Sequence, residues 1–555
     1  MRLNLFIPWS NGRAKRLRRY APSWLFSPVR RIVQVACLGL LVGLLFHVCQ
    51  PCGPTGHTPS MRAHDIIPVE TFLALDPLVS ISVALAARTW IWSLPWAGAI
   101  VLACVLFPRG FCGYVCPLGT LIDAFDWILG RRCSRLHIRR PNGWAAARYG
   151  VLTAVVVASL FGVLLGGFLA AIPVLTHGLA FAFGPLESGL VRGWDSVPPL
   201  NYGHWASLAL LAAVVGLGVF GRRFWCRYAC PTGAFFSVTS TLRVAQREVT
   251  TACIRCGQCV KACPFDAINP DFSTRTDRCT FCQTCGGACP VRAIQFVGRW
   301  NKQAQFPADK AVDEKGVISR RAFLAGGAGS AAGLVAALAI PRCLGANLAG
   351  MSSRTPLRPP GSLPEEQFLR TCIRCGMCVK ACPTGLLQPI GFGQGLWGLW
   401  TPRAMANWAA CDPKCNNCGQ VCPTGAIRPL PLEDKRLFRM GLAVVDKGAC
   451  LAHTGRQECG LCYLACEAAG YQAIDMVERE ARPAGGTGGE EEGRKGGGEP
   501  ESKNTGEAPP VLLAPVVLAH KCVGCGACQA ACFSNNVRRM KLLGRAAIWA
   551  AAGRA

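Results

Sequence analysis

The sequence has no C-x-x-C-H haem-attachment site, no P-loop, no zinc-protease motif and no G-x-G-x-x-G following a strand. These absences leave no place for covalent haem, nucleotide-driven chemistry, metal-assisted proteolysis or hydride transfer through a Rossmann site. Charge is scarce as well. Only 16% of the 555 residues are charged while 51% are hydrophobic, so part of the chain is expected to live in lipid.

What the chain has in quantity is cysteine, 34 residues of it. Four blocks follow C-x-x-C-x-x-C-x-x-x-C without a gap: Cys253, Cys256, Cys259 and Cys263; Cys279, Cys282, Cys285 and Cys289; Cys372, Cys375, Cys378 and Cys382; Cys522, Cys525, Cys528 and Cys532. Two are stretched at the first step: Cys411, Cys415, Cys418 and Cys422; Cys450, Cys459, Cys462 and Cys466. In such a block three thiolates converge on one [4Fe-4S] cube and the fourth ligates a neighbour. Six blocks therefore provide for about six cubes. Glycines follow the second or third cysteine at Gly257, Gly286, Gly376, Gly419, Gly460 and Gly526, where a missing Cβ lets backbone N–H groups approach sulfur. Zinc knuckles and disulfide scaffolds are the alternatives, and neither repeats this four-cysteine rhythm. Pro follows the fourth cysteine in four blocks but not in the last two, where Glu467 and Phe533 stand and deviation is expected.

Four apolar runs, approximately 32–48, 91–107, 151–172 and 205–220, are near the ~20 residues that a membrane-crossing helix needs. Basic residues before the first and after the second run (Arg30 and Arg31; Arg109, Arg139 and Arg148 among others) place those ends in the cytoplasm. The connections after runs one and three, with Asp65, Glu70, Asp76, Glu187 and Asp195, belong outside. Residues 69–88 either lie in the interface or re-enter. The net charge of +28 invites a nucleic-acid reading, but six cubes with two negative charges each bring it to about +16, and much of the rest is topogenic arginine. No nucleic-acid partner is expected.

Ser319-Arg320-Arg321-Ala322-Phe323-Leu324, followed by the Gly- and Ala-rich run 325–340, reads as a twin-arginine export signal in mid-chain. An ordinary fifth transmembrane helix is the alternative, and both put the following residues outside. Leu344-Gly345-Ala346 is a weak cleavage site, so release and tethering both stay open. Residues 483–510 are rich in Gly, Glu and Lys and have too little apolar side chain to fold. The tail 541–555 is expected to form a short helix.

Two further pairs, Cys112 with Cys116 and Cys226 with Cys230, each copy the second half of a cluster block as C-x-x-x-C-P at cytoplasmic helix ends. They converge on one further metal or cluster, or form a structural thiol set or disulfide-exchange site. Cys37 and Cys104 read as packing residues. Cys49 and Cys52, near His47, His57 and His64, suit a disulfide or a metal, and Cys133 and Cys343 carry no signal. His47, His64, His177, His204, Asp76 and Glu187 fall at outer ends as candidate proton acceptors.

The runs of apolar sequence carrying Phe111-Cys112-Gly113-Tyr114-Val115-Cys116-Pro117 and Phe224-Trp225-Cys226-Arg227-Tyr228-Ala229-Cys230-Pro231, with two cluster blocks after them, resemble the NapH/MauN family of membrane iron–sulfur proteins. From the twin arginines on, including the stretched Cys450–Cys466 block, the chain resembles the NapG/MauM exported ferredoxins. It looks like a fusion of two normally separate subunits. The resemblance implies an α-helical membrane domain, four spans plus a fifth signal or anchor helix, with α+β ferredoxin-like [4Fe-4S] domains on both sides. It also implies quinol dehydrogenase activity in the bacterial inner membrane, with electrons passing from the quinol pool to a periplasmic redox enzyme such as a nitrate reductase, or to a cytochrome. The twin-arginine translocase is a further expected partner. The expected divisions are 1–31 basic, 32–241 membrane, 242–300 cytoplasmic ferredoxin, 301–318 linker, 319–345 signal, 346–363 linker, 364–540 periplasmic ferredoxin and 541–555 tail. A redox assembly or regulatory factor for another metalloenzyme is the alternative function, and a mere anchor is the plainest one for the membrane half.

Overall fold

The computed structural model describes residues 26–48, 68, 70–130, 146–194, 197–300, 323–335, 355–480 and 511–552. The twin arginines, the 344–346 site, the 483–510 insertion, and Cys49, Cys52, His57, His64, Cys133 and Cys343 lie outside the described residues.

Helices make up the first part. They are α1 (Pro28–His47), α2 (Thr71–Ala74), α3 (Pro77–Ala87), α4 (Leu94–Leu106), α5 (Pro117–Phe125), α6 (Ala147–Leu160), α7 (Gly166–Leu169), α8 (Ala171–Arg192), α9 (Tyr202–Gly216), α10 (Phe224–Tyr228) and α11 (Pro231–Thr239). Among the described residues, α1 and α9 with its extension to Phe220 are long and apolar enough to cross a membrane, while α4 and α6 are shorter. The run 151–172 is not one helix, contrary to expectation. It stops at Leu160, Gly162 turns the chain at φ +81°, and the freed Leu164 carbonyl accepts from the buried Arg374 guanidinium at 3.2 Å. Irregular backbone of this kind is tolerated in a bundle where protein satisfies it.

Residues 69–88, left open above, fold back as α2 and α3 inside the bundle. Asp76 caps α3 by accepting from the Leu78 N–H at 3.1 Å, with Pro77 at the first helical position. Its carboxylate is fully buried and faces the Thr232 hydroxyl of α11 at 3.4 Å. Asp76 is thus no outer-surface residue. His177 and His204 are also buried rather than set in loops, and Glu187 is ion-paired with Lys380.

A further helix, α12 (Phe323–Val335), lies against α6. The Gly326 carbonyl accepts from Thr153, and a Cβ at Gly329 or Gly333 would collide with the Gly150 or Ala154 carbonyl. This small-x-x-x-small contact lets the two backbones touch. Gly329→Leu or Gly333→Leu should cost about 1–3 kcal/mol through overpacking, read as a lower midpoint of thermal unfolding in detergent. An unchanged midpoint would show that α12 is not held here.

The cluster-bearing parts are small α+β units. Strands β1 (Ala245–Val249) and β2 (Ile294–Gly298) pair antiparallel and bracket the first two blocks. Farther on, β3 (Leu387–Pro389) pairs with β4 (Pro402–Ala404), β5 (Gly441–Val445) with β8 (Ile548–Ala552), and β6 (Ile474–Glu480) with β7 (Val511–Val517), all antiparallel. The 483–510 insertion falls between β6 and β7. The tail therefore contributes a strand where a helix was expected. Its Ala550 N–H reaches Gln529 Oε1 at 2.8 Å, and Ala546, Ala547 and Ile548 are buried against the last two blocks.

Both kinds of unit pack on the helical bundle. One continuous apolar core contains Cys116, Leu118 and Ile122 from one end and Ile373, Cys375 and Met377 from the C-terminal unit. The glycine- and aromatic-rich segment between β3 and β4 makes that second contact. Trp400 Nε1 donates to the Gly203 carbonyl at 2.9 Å, and Asn201 donates to the Pro389 carbonyl at 2.8 Å.

Candidate iron–sulfur and thiolate sites

The four unbroken blocks share one loop geometry. In each, the residue two after the first cysteine and the residue after the second are left-handed: Arg255 and Gly257, Phe281 and Gln283, Arg374 and Gly376, Gly524 and Gly526, with φ between +52° and +82°. Such alternation turns successive N–H groups inward and makes an anion-binding nest. The stretched blocks lack it, with φ −131° at Asn416 and −109° at Gly460. Deviation therefore follows the stretched step rather than the missing proline, since the last block has the standard loop.

The thiols gather by exchange. Cys372, Cys375 and Cys378 face Cys422, while Cys411, Cys415 and Cys418 face Cys382. Cys450, Cys459 and Cys462 face Cys532, whereas Cys522, Cys525 and Cys528 face Cys466. In the N-terminal unit Cys279, Cys282 and Cys285 face Cys263, and Cys253 faces Cys259. Fourth-position sulfurs accept backbone N–H groups: Cys263 from Ala267, Cys289 from Ala293, Cys422 from Ile427 and Cys466 from Ala473, at 3.2–3.4 Å. The Asn536 amide lies between Cys459 Sγ at 3.6 Å and Cys532 Sγ at 3.8 Å.

This donor set fits four-iron cubes. A [4Fe-4S] cube takes four cysteine thiolates, which is what each of these sets provides. Burial pushes the Cys415 thiol up to about 12 and the Cys525 thiol up to about 11. Bound iron reverses that penalty, because a ligating thiol must give up its proton.

The two C-terminal pairs of sites touch. The Cys411 N–H donates to the Cys525 carbonyl at 2.9 Å, the two thiols interact, and Gln529 reaches Asn407 at 2.6 Å. The four quartets are thereby ordered as a row, from Cys372 and its partners at the bundle, through the sets of Cys411 and Cys525, to that of Cys450.

Cys112, Cys116, Cys226 and Cys230 are brought together in the bundle, each thiol acting electrostatically on the others. The two halves are built alike. Each second cysteine precedes a proline that starts a helix, and Cys230 Sγ accepts the Gly233 N–H at 3.3 Å. Three residues before each first cysteine stands a fully buried, left-handed arginine, Arg109 or Arg223. Arg223 crosses to the other half, donating to the Cys112 and Gly119 carbonyls at 3.1 Å and to Asp123 at 2.6 Å. Asp123 also binds Arg30 at 2.9 Å and Arg31 at 2.7 Å. Burial pushes its carboxyl up, but Arg223, Arg30 and Arg31 outweigh that and hold it far below the usual carboxylate range. Arg109 donates to the Asp277 carbonyl and Arg148 to its carboxylate, which fastens the N-terminal unit to the same place. There Tyr114 donates to the Phe281 carbonyl at 2.9 Å, so the Cys279 loop rests on the Cys112 loop.

Sequence reasoning counted Arg30, Arg109 and Arg148 as topogenic charge and missed Asp123. The signal available was the repeat itself, an arginine at the same offset from both cysteine pairs.

The family described as "4Fe-4S binding domain" matches at residues 249–269 and 369–388, and a second family of the same description matches at 89–135 and 203–247, around the two C-x-x-x-C-P pairs. The ferredoxin-type protein MauN of Methylorubrum extorquens is 30% identical over 261 residues, 45% of this chain and 77% of its own length. MauM of the same organism is 32% identical over 231 residues, 41% of this chain and 87% of its own. The chain belongs to the MauN/MauM family of ferredoxin-type proteins. It combines both types in one polypeptide, and the likeness extends to NapH and NapG. It spans about half (52%) of the length of YccM from Escherichia coli, to which an electron-transport role is attributed, at 30% identity. No solved structure matches the chain. As a MauN/MauM-type fusion it carries iron–sulfur electron-transfer modules, with the repeated pairs inside its helical half.

Proposed function

We propose that this fusion is a multi-pass protein of the bacterial inner membrane that takes electrons from quinol and delivers them to a periplasmic redox enzyme or cytochrome. In this reading the bundle supplies four spans. The unit at 245–298 lies in the cytoplasm, and the twin-arginine segment carries the four-site unit outside. The observation that carries the proposal is the ordered row of four thiol quartets whose first member, that of Cys372, is packed into the bundle core. A nitrate-reductase-like acceptor is suggested by the NapH and NapG relatives.

The residues divide the work. The 24 cysteines of the six blocks hold six cubes, each of which takes up and releases one electron at a time when bound. The left-handed nests aim N–H groups at the sulfurs, and apolar neighbours keep water out. Cys112, Cys116, Cys226 and Cys230 hold a seventh centre between the N-terminal unit and the bundle, with Arg223 and Arg109 balancing its charge.

Anaerobic EPR of membranes containing the chain, with a reduced quinol analogue added and iron counted, tests this. Six cubes give ~24 irons per chain and a seventh raises the count towards ~28; a Cys112→Ser, Cys226→Ser double variant should lose only the excess. Quinol should generate the reduced-cluster signal. Reduction by dithionite but never by quinol would remove the quinol role and favour assembly of another metalloenzyme.

A further inference from the structure

A cleft of about 200 Å³ opens where the helical half meets the N-terminal unit, well above the ~10–15 Å³ that a single water needs. Its walls come from the start of α1, the end of α5, the residues before α10 and the N-terminal unit. The two halves touch beside it, with Ser27 Oγ 3.1 Å from Thr284 Oγ1. Five cations line the cleft, Arg30, Arg31, Arg222, Arg223 and Lys261, against two carboxylates, Asp123 and Asp126. Its formal charge is therefore 5 − 2 = +3.

Both carboxylates are already engaged. Asp123 is held by Arg30, Arg31 and Arg223. Asp126 Oδ2 accepts the Arg223 backbone N–H at 2.9 Å, and its Oδ1 is buried against Gly218, where a Cβ would collide with it. Arg222 donates to the Lys261 carbonyl at 3.4 Å across the joint, and both of these side chains are exposed. A recess with three positive charges in excess and no open carboxylate oxygen attracts an anion. The surface beside it is apolar: Trp127 on the rim and the following Ile128 are each half exposed, as is Val35, one turn after Arg31 on the same face of α1.

We propose that this cleft binds a phosphate-ester anion, with Arg31, Arg222 and Lys261 holding its oxygens. The guanidinium fork and the ammonium group are the side chains that suit such oxygens, and basic pockets between helices on the cytoplasmic side accept lipid headgroups. The apolar rim makes an anionic phospholipid the favoured source, its phosphate in the cleft and its acyl chains against Val35 and Ile128. The lipid source rests on the membrane placement proposed above; the anion site does not. Because the anion is shared by α1, the residues before α10 and the N-terminal unit, it clamps that unit to the bundle, on the same joint that Arg109 and Arg148 fasten through Asp277. A ligand of the docked form also stabilises it.

The test titrates the full chain, purified in a neutral detergent, with phosphatidylglycerol, with phosphatidylcholine of the same acyl chains and with glycerol phosphate. Native mass spectrometry counts the bound molecules, and the thermal midpoint is followed alongside. Phosphatidylglycerol should fill one saturable site and raise the midpoint; phosphatidylcholine should do neither. Arg222→Gln combined with Lys261→Gln should weaken binding by ~30-fold, the scale of two surface cations acting on one headgroup. Lys447→Gln combined with Lys541→Gln, two exposed lysines of the C-terminal unit, should leave it unchanged. Iron per chain reports folding; if the first pair loses iron, Arg222→Gln is read alone, with ~5-fold expected. Glycerol phosphate that binds as tightly as the lipid, and is lost in the same variant, assigns the site to a soluble phosphate ester. Phosphatidylglycerol bound equally by wild type and the Arg222 variants, or matched by phosphatidylcholine, overturns the site. Recovery of the chain from the soluble fraction of cells overturns the membrane placement, and the glycerol phosphate titration then decides the anion site by itself.

Discussion

Asp123→Asn should be among the most damaging single substitutions in the helical half, costing about 3–5 kcal/mol and stripping iron from the seventh centre proposed at Cys112. That is the scale for leaving buried charge uncompensated. Asp123 neutralises Arg30 and Arg223, both about 1% exposed, and the less buried Arg31. Asparagine keeps the shape but leaves a surplus of positive charge beside the thiols. The same arginines shape the Cys112 loop, since Arg30 donates to the Gly113 carbonyl and Arg223 to that of Cys112. Phe265 of the N-terminal unit covers Arg223 at 4.5 Å, so the damage should spread to that unit's docking. Iron per chain and the thermal midpoint in detergent check this; values equal to wild type would show that the ion-pair cluster is dispensable. The pH dependence has a definite sign. Because the folded carboxyl is depressed, its stabilisation is fully present above the ordinary Asp value of ~3.9 and is lost as pH falls below it towards the folded value.

How much of this was legible beforehand depended on whether the information was local. A C-x-x-C-x-x-C-x-x-x-C block fixes its own loop, and the nests at Arg374 with Gly376 and at Gly524 with Gly526 follow from short-range sterics. The exchange of fourth cysteines follows from the same spacing. Burial of charge is not local. Arg148 finds Asp277 129 positions away, and Arg223 finds Asp123 across 100, so a count of loop arginines saw only their sign. The same limit applies to Asp76, whose buried hydroxyl partner Thr232 comes from α11, and to the run 151–172, where hydropathy cannot register a turn at Gly162. The tail strand Ile548–Ala552 exists because Gly441–Val445 offers an edge, a partner more than 100 residues earlier.

That non-local order also gives the sharpest test of the conduit. Cys525→Ala should divide the C-terminal row at its centre. Cys525 is the thiol that meets Cys411, and the Cys411 N–H holds its carbonyl at 2.9 Å. Losing this ligand exposes one iron of the third site, while the Cys372 and Cys411 quartets keep all their cysteines. Quinol should then reduce the first two sites but deliver almost nothing to an external acceptor, and the spin count of the C-terminal row under quinol should fall by about half, from four sites to two. Cys459→Ala, in the last quartet, should leave reduction of the first three sites intact and still impair delivery. If Cys525→Ala delivers electrons at the wild-type rate, with its third site shown to be lost by iron content, the sites do not act as a row. The acceptor would then have to draw directly on the quartets of Cys372 or Cys411, making the last two structural rather than conducting.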